Sequence, residues 1–561
     1  MEFHLFKKER ALLRGVMPAK LQAALRRRLR ARYLVWSARE YRRWLALRMP
    51  ERKGRYMGRL EPGLLSILTP VWDGTPLEYF RELAQSIMEQ NSEGAAEWVI
   101  LNNGCQDRNI LNYLAGLKRH AWIKVVTSSS NAGIIGGLHL CLQAANGRYV
   151  LPVDSDDLLY PDCLQIVTWW VRKSGYPALL YSDEDKVIGD TAVQPYLKPD
   201  FDPVLLLNSA YIAHLGVIDR TLALKYGAYT DKNTEGSPDW DLFVRFLVAG
   251  ERTAHIPEVI YSWRMHPEST SDDADSKPYI HSSQKAVLQR YLDTTGLADK
   301  SAIEYCPFVR GSADFWLRRQ PLNPWPALVV SIKTGITPVP LKLDYPEMPT
   351  LSVEQSCSLT ELAELVANNM KAADDLICLV SDDLQIERAD WLWDAVGLFE
   401  RHPDTAMVGG HIRTSGEITS AAGFVLGFGS PPVGCPDKGR PAQDPGYFTQ
   451  MWKQRSVSFV SSQFCVVRAG FLRELAGTVP KFASLALLGP WAGAHALRTG
   501  QRIVYSPYVR GVSNFDWSGL AKEPELLEFV KRYSDLLPDC RYYPAALSLQ
   551  EGQSYQLVTK S

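Results

Sequence analysis

Three carboxylates, Asp154, Asp156 and Asp157, crowd the end of a short apolar run, Tyr149 to Val153. The run reads as a buried strand, and in open α/β sheets ligands gather at the C-terminal ends of the strands. Carboxylates this close repel one another unless a cation neutralises them. A hard divalent ion held by one or two of them, with diphosphate oxygens completing its shell, would do so. The competing reading is a solvated acidic turn, so the neighbouring elements decide.

Leu64 to Asp73 reads as a strand running into a turn, with Pro70 ending ladder donation. A helical pattern follows through Leu77, Phe80, Leu83, Ile87 and Met88. A second strand, 97–101, leads into Asn102-Asn103-Gly104. A third, 123–126, precedes Asn131 and a helix from Ile134 to Ala145, which Gly147 ends. The order β-α-β-α-β-α-β predicts a parallel sheet with crossover helices. Trp72 and Asp73, Asn102 and Asn103, Asn131, and Asp154 and Asp156 then collect at successive strand ends, where a crevice could hold a nucleotide and its diphosphate. No G-x-G-x-x-G follows the first strand and no Walker A loop occurs, which argues against a dinucleotide oxidoreductase and a P-loop NTPase.

With these strand ends in view, residues 66–269 resemble family 2 glycosyltransferases of the GT-A fold, in particular bacterial enzymes of O-antigen, capsule and rhamnan-type polysaccharides. The resemblance rests on Ser66-Ile-Leu-Thr-Pro-Val-Trp-Asp73, Asn131-x-Gly133 and Ala145-x-Gly147-Arg-Tyr. It continues with Asp154-Ser-Asp-Asp-Leu158, Pro161-Asp162, Tyr181-Ser-Asp-Glu-Asp-Lys186 and Lys198-Pro-Asp200. Pro238-Asp-Trp-Asp-Leu242 and Tyr261-Ser-Trp-Arg-Met-His266-Pro-x-Ser269 complete it.

The resemblance implies a role for each position. Pro70, Trp72 and Asp73 line the donor's base and ribose. An Asp commonly stands where Asn102 or Asn103 does; Asn still accepts a hydrogen bond but carries no charge. Asn131 is placed with the donor, Asp154 at the ribose or metal, and Asp156 at the metal and diphosphate. His266 resembles a His that completes the metal shell, with manganese or magnesium the expected ion. Asp239 is the implied general base, with Asp241 as its rival; at a helix N-terminus its ionised form is favoured. Glu184, Asp185 and Trp240 are placed beside the acceptor and the transferred sugar. Arg264 either pairs with a phosphate or braces its loop.

Outside this segment, residues 1–60 carry 18 Lys/Arg against 4 Asp/Glu, with Leu21, Leu25, Leu29, Trp36, Tyr41 and Trp44 at roughly helical spacing. They read as a basic amphipathic helical segment, which either touches the inner face of a membrane or packs on its own domain with a solvated basic face. Net charge is zero over 561 residues, which gives no general attraction for nucleic acid. Nine cysteines without a C-x-x-C pair suggest reduced thiols and a cytoplasmic protein. No apolar run reaches transmembrane length and no apolar signal core stands at the N-terminus.

The second half resembles a degenerate copy of the first, through Asp375-Leu-Ile-Cys-Leu-Val-Ser-Asp-Asp383, Asp390-Trp-Leu392 and Gly500-Gln-Arg-Ile-Val-Tyr-Ser-Pro507. Leu328 and Asp383 are 55 residues apart, against 92 between Leu64 and Asp156. The stretch standing for the general base reads Leu488-Gly489-Pro490-Trp491-Ala492, without a carboxylate. The expected architecture is α/β, with tandem GT-A modules, Rossmann-like and mostly parallel: a basic segment 1–60, a catalytic domain 61–310, a linker 311–326 and a degenerate module 327–561. The expected activity is inverting, metal-dependent transfer from a UDP- or dTDP-sugar to a hydroxyl of a bacterial surface glycan or its lipid-linked precursor. Its rivals are a two-site polysaccharide polymerase and a glycan-binding scaffold. The second module is expected to hold acceptor, partner or a second subunit.

Overall fold

A computed structural model describes residues 36–56, 58–265, 278–308 and 314–558. The first sheet contains β1 (Leu65–Val71), β2 (Glu97–Asn103), β3 (Ile123–Ser128), β4 (Tyr149–Pro152), β5 (Leu158–Leu159), β6 (Leu179–Ile188), β7 (Thr191–Tyr196), β8 (Gly216–Asp219) and β9 (Thr253–Arg264). Their order is β3-β2-β1-β4-β8-β6-β9-β5, with β7 on β6. The expected parallel half is present: β3, β2, β1 and β4 run parallel. β8 then enters antiparallel to both β4 and β6, while β6 and β9 are again parallel. The core strands are apolar on both faces because helices cover both. Ile67, Ile100 and Tyr149 pack to one side, and Leu68, Val99 and Val150 to the other.

A hairpin follows, β10 (Ser301–Tyr305) against β11 (Phe315–Arg319). The 311–326 stretch expected as a linker is therefore partly built into structure. Trp316 of β11 stacks on Tyr508, 4.0 Å between ring centroids, and donates to Asp394 at 2.8 Å. An aromatic- and Pro-rich composition predicts a boundary, but here it packs.

The second sheet contains β12 (Ala327–Lys333), β13 (Thr350–Glu354), β14 (Leu376–Ser381), β15 (Gln385–Ile386), β16 (Thr405–Arg413), β17 (Thr419–Ala421), β20 (Arg455–Val457), β21 (Phe464–Arg468) and β22 (Arg502–Val512), with a separate β18–β19 pair (Val425–Leu426, Val433–Gly434). Its order, β13-β12-β14-β21-β16-β22-β15, repeats the first sheet without the outer β3. β21 is antiparallel to both β14 and β16, as β8 is to its neighbours. The chain thus holds two α/β modules of one topology, the second without a counterpart of β3.

The helix Ala38–Arg55 starts at a capping box between Ser37 and Glu40. Its Tyr41, Trp44 and Arg52 are buried. Arg52 donates to Asp162 and, at 2.7 Å, to the Val259 carbonyl. Tyr41 donates to Asp185 at 2.7 Å. This part of the basic segment packs on the first module; Leu21, Leu25, Leu29 and the rest of 1–35 lie outside the described residues. No described helix is long and apolar enough to cross a membrane, and all nine cysteines are free.

Candidate active site

The strand-end loops of the first module are knitted together by the side chains that the sequence singles out. Asp73 Oδ1 accepts from the Gln106 and Asp107 amides at 2.7 and 3.0 Å. Asn102 accepts from the Cys105 amide at 2.9 Å. Asn103 accepts from the Ala132 amide at 2.8 Å and donates to Asn131 at 3.1 Å. Asn131 also accepts from the Gly133 amide at 2.9 Å. Three loops after β1, β2 and β3 are thereby fixed to one another, at the rim where β1 ends at Val71, one residue past Pro70. Trp72 remains half exposed, its indole folded over Gly74, where a Cβ would sit 2.2 Å from the ring.

The acidic turn after β4 splits by direction. Asp154 is exposed and Asp156 half-buried. Asp157 is buried, accepting from Tyr261 Oη at 2.5 Å and from the Arg264 amide at 2.7 Å. Burial, reinforced by the Asp154 charge, raises its carboxyl well above the usual range. Arg264 braces this turn: it donates to the Asp156 carbonyl at 2.7 Å and to Glu82 at 2.5 Å, and lies over Tyr79. Thr75 and Ser155 hydroxyls, 3.1 Å apart, join it to the turn after β1.

Asp239 stands in the first turn of the helix Pro238–Val248 and accepts from Tyr229 Oη at 3.0 Å. The helix N-terminus was expected to favour its ionised form. Instead burial raises its carboxyl, and the His214 charge draws it only part of the way back. Burial wins because the helix-end dipole is worth at most about 2 kcal/mol, whereas desolvating a carboxylate costs more. Asp241 is committed elsewhere, to Arg245 at 2.9 Å and to Arg290.

Two further expectations change. Trp240 lies in the core, 2% exposed, donating to the Leu206 carbonyl at 2.8 Å and facing Phe315. It does not line the crevice, because the residue after Asp239 on a helix points about 100° away. Asp185 is fully buried and holds Tyr41, Tyr160 and Ser262; burial lifts it to about 6. Its place is under the Ala38–Arg55 helix. Alternation along β6 turns only Glu184 the other way, towards His214. His266 lies outside the described residues.

His214 is the site residue that sequence reasoning missed. Its Nδ1 is 3.6 Å from Glu184 Oε2, an ion-pair distance rather than a full hydrogen bond, and its backbone amide donates to the same carboxylate. Its ring stacks on Tyr261, 5.0 Å between centroids. Burial opposes a charge there, but Glu184, Asp154 and Asp157 outweigh it and push the imidazole up to about 9. Asp157 and Asp239 both feel this one charge. Glu235 was missed as well: it accepts from the Ile134 amide at 2.5 Å, at the start of the helix Gly133–Ala144.

In the second module the helix that stands where Pro238–Val248 stands in the first packs tightly on its neighbour. The helix Leu488–Thr499 presses its backbone on the 458–460 segment: a Cβ at Gly489 would meet the Val460 carbonyl oxygen at 2.3 Å, and one at Gly493 the Ser458 oxygen at 2.5 Å. Asp382 accepts from Thr334 Oγ1 at 2.6 Å and Asp383 from Ser513 Oγ at 2.5 Å.

Residues 66–178, from β1 through the acidic turn to the start of β6, match the glycosyl transferase family 2 profile. The first module carries a family 2 glycosyltransferase domain. The chain is 26% identical over 469 residues to an uncharacterized protein, y4gI, of Sinorhizobium fredii, covering 75% of this chain and 49% of that one. It is 23% identical over 427 residues to the O-antigen biosynthesis protein RfbC of Myxococcus xanthus, covering 69% of this chain and 33% of that one. The chain therefore spans about half the length of the first of these relatives and about a third of the second. Among solved structures, S. aureus TarS 1–349 in complex with UDP-GlcNAc is 18% identical over 42% of this chain and 67% of that one, with a TM-score of 0.35, too low a likeness to carry a ligand across. The glycosyltransferase domain is thus assigned on its sequence profile, and its acidic turn falls inside the matched residues.

Proposed function

We propose that the chain is an inverting glycosyltransferase that moves a sugar from a UDP- or dTDP-sugar to a hydroxyl of a bacterial surface glycan or its lipid-linked precursor. The observation that carries this reading is the acidic turn at the end of β4, with Asp154 and Asp156 turned outward, inside the residues that match the family 2 profile. The sugar would lie between this turn and Asp239. Asp239 takes the acceptor hydroxyl's proton as its oxygen attacks the anomeric carbon, a contribution of roughly 10²–10⁴-fold. Attack opposite the leaving group inverts that carbon.

The donor set suits a hard divalent ion, because the outward-facing groups of the acidic turn, Asp154 and Asp156, offer only oxygen. Among the described residues no group of three or more His, Cys, Asp and Glu stands ready to hold an ion. By the family resemblance, diphosphate oxygens, water and His266 would complete the shell. Such an ion supplies charge stabilisation for the departing diphosphate.

The test is release of nucleoside diphosphate from a panel of nucleotide sugars with acceptor glycan and manganese or magnesium. The expected result is turnover with one donor and its loss on chelation, restored by added metal. No release with any donor would favour the scaffold reading.

The second module is read as non-transferring, supported by the backbone contact at Gly489 and the absence of a carboxylate in the Leu488–Thr499 helix. It serves to hold the first module, and through it an acceptor or partner. The double variant Asp382→Ala/Asp383→Ala is expected to lose stability, because Thr334 and Ser513 lose their acceptors, but to keep turnover in the folded protein. Abolished turnover in a folded, acceptor-binding variant would point to a second working site.

A further inference from the structure

Lys198 is fully buried and donates to Glu184 at 3.3 Å, to the Ile212 carbonyl at 2.8 Å and to the His214 carbonyl at 2.5 Å. Glu184 in turn accepts from the His214 amide and faces its Nδ1. Tyr261 supports the ring from one side, 11° from parallel, and Trp263 lies 5.5 Å away at 59°. Burying a Lys–Glu pair brings a desolvation penalty that its attraction rarely exceeds by much. Here the pair holds the His214 backbone at both its amide and its carbonyl, with Glu184 facing the ring at Nδ1.

Nδ1 is turned to Glu184, and the side chain keeps 24% of its surface exposed. Tyr261 beneath it donates to Asp157, so the ring stands beside the acidic turn. A diphosphate brought to Asp154 and Asp156 meets like charge, and a nearby cation relieves it. Arg264, the other cation beside that turn, is engaged by the Asp156 carbonyl, Glu82 and Tyr79.

We propose that His214 contacts the β-phosphate of the bound nucleoside diphosphate and stabilises the charge it gains on leaving. This rests on the transferase reading above. The bond that breaks joins the anomeric carbon to the β-phosphate oxygen, which keeps the electron pair. The bond that forms joins that carbon to the acceptor oxygen, whose proton goes to Asp239. The imidazole keeps its own proton throughout.

The proposal separates diphosphate from monophosphate. The full chain is titrated calorimetrically with UDP, UMP, dTDP and dTMP in the presence of magnesium. The parent binds one diphosphate more tightly than its monophosphate. His214→Gln loses about tenfold of that preference, with monophosphate affinity and melting temperature unchanged; His214→Asn repeats the measurement should the Gln variant melt early. Diphosphate and monophosphate affinities that fall together, or that both stay as in the parent, overturn the contact. A parent protein that binds neither diphosphate overturns the transferase reading itself, and the proposal with it, before any variant is compared.

Discussion

Asp239→Asn is expected to remove transfer by roughly 10²–10⁴-fold while the protein stays folded. The amide still accepts from Tyr229 Oη, 3.0 Å from the carboxylate in the parent, so the helix start keeps its anchor. What is lost is the ability to take a proton. Nucleoside diphosphate affinity should not fall, because the lost group faces the acceptor. The pH profile carries the same assignment. A base acts only when ionised, and burial raises this carboxyl above its ordinary value. Activity should therefore fall with decreasing pH through an apparent pKa above the ordinary Asp value of about 3.9, and hold at higher pH until another group titrates. Asp241→Asn provides the contrast: it weakens the pairing with Arg245 and Arg290, so it should lower stability more than turnover. Equal loss of turnover in both variants, or an unshifted acid limb, would remove Asp239 from the role.

Asp202→Ala should produce the largest loss of stability. Asp202 is 1% exposed and joins the two modules. Its carboxylate accepts from the Ser456 amide and hydroxyl, both at 2.7 Å, and from the Val204 amide at 3.0 Å. Arg502 of the second module stands 4.0 Å away. Removing the acceptor leaves three buried donors without their partner, while Arg502 keeps Asp404 at 2.9 Å. Each orphaned donor costs about 1–3 kcal/mol, so a loss of about 3 kcal/mol or more is expected. Urea unfolding should show an earlier first transition, and limited proteolysis should cut between the modules. Asp202→Asn keeps an acceptor for the Ser456 amide and should lose less. The segment that follows Asp202 carries His214, so turnover should fall with the interface. An unchanged unfolding curve would mean that the modules do not depend on this contact.

The local order of the first module was legible because its causes are local. Apolar runs and turn residues specify β1 to β4 and the helices between them, and strand ends in a parallel sheet share one rim; Gly147, expected to stop its helix, instead packs on Ser66, and that helix ends at Ala144. Gathering Asp73, Asn102, Asn103, Asn131 and Asp154 there needs no long-range information. The loss of the carboxylate at Gly489 and the shortened 328–383 interval are likewise properties of the chain as written. Direction and charge were settled by partners far away in sequence. Asp185 turns inward because Tyr41, 144 residues earlier, meets it; Trp240 turns inward because Leu206 offers a carbonyl. His214 shows no local sign of function, since Glu184 and Tyr261 reach it only after β6, β8 and β9 assemble. The charge on Asp239 depends on how much water the finished fold excludes, and on the cation it places opposite. Periodicity and turn chemistry act over a few residues, whereas burial and pairing act through space, so only the tertiary structure could decide them.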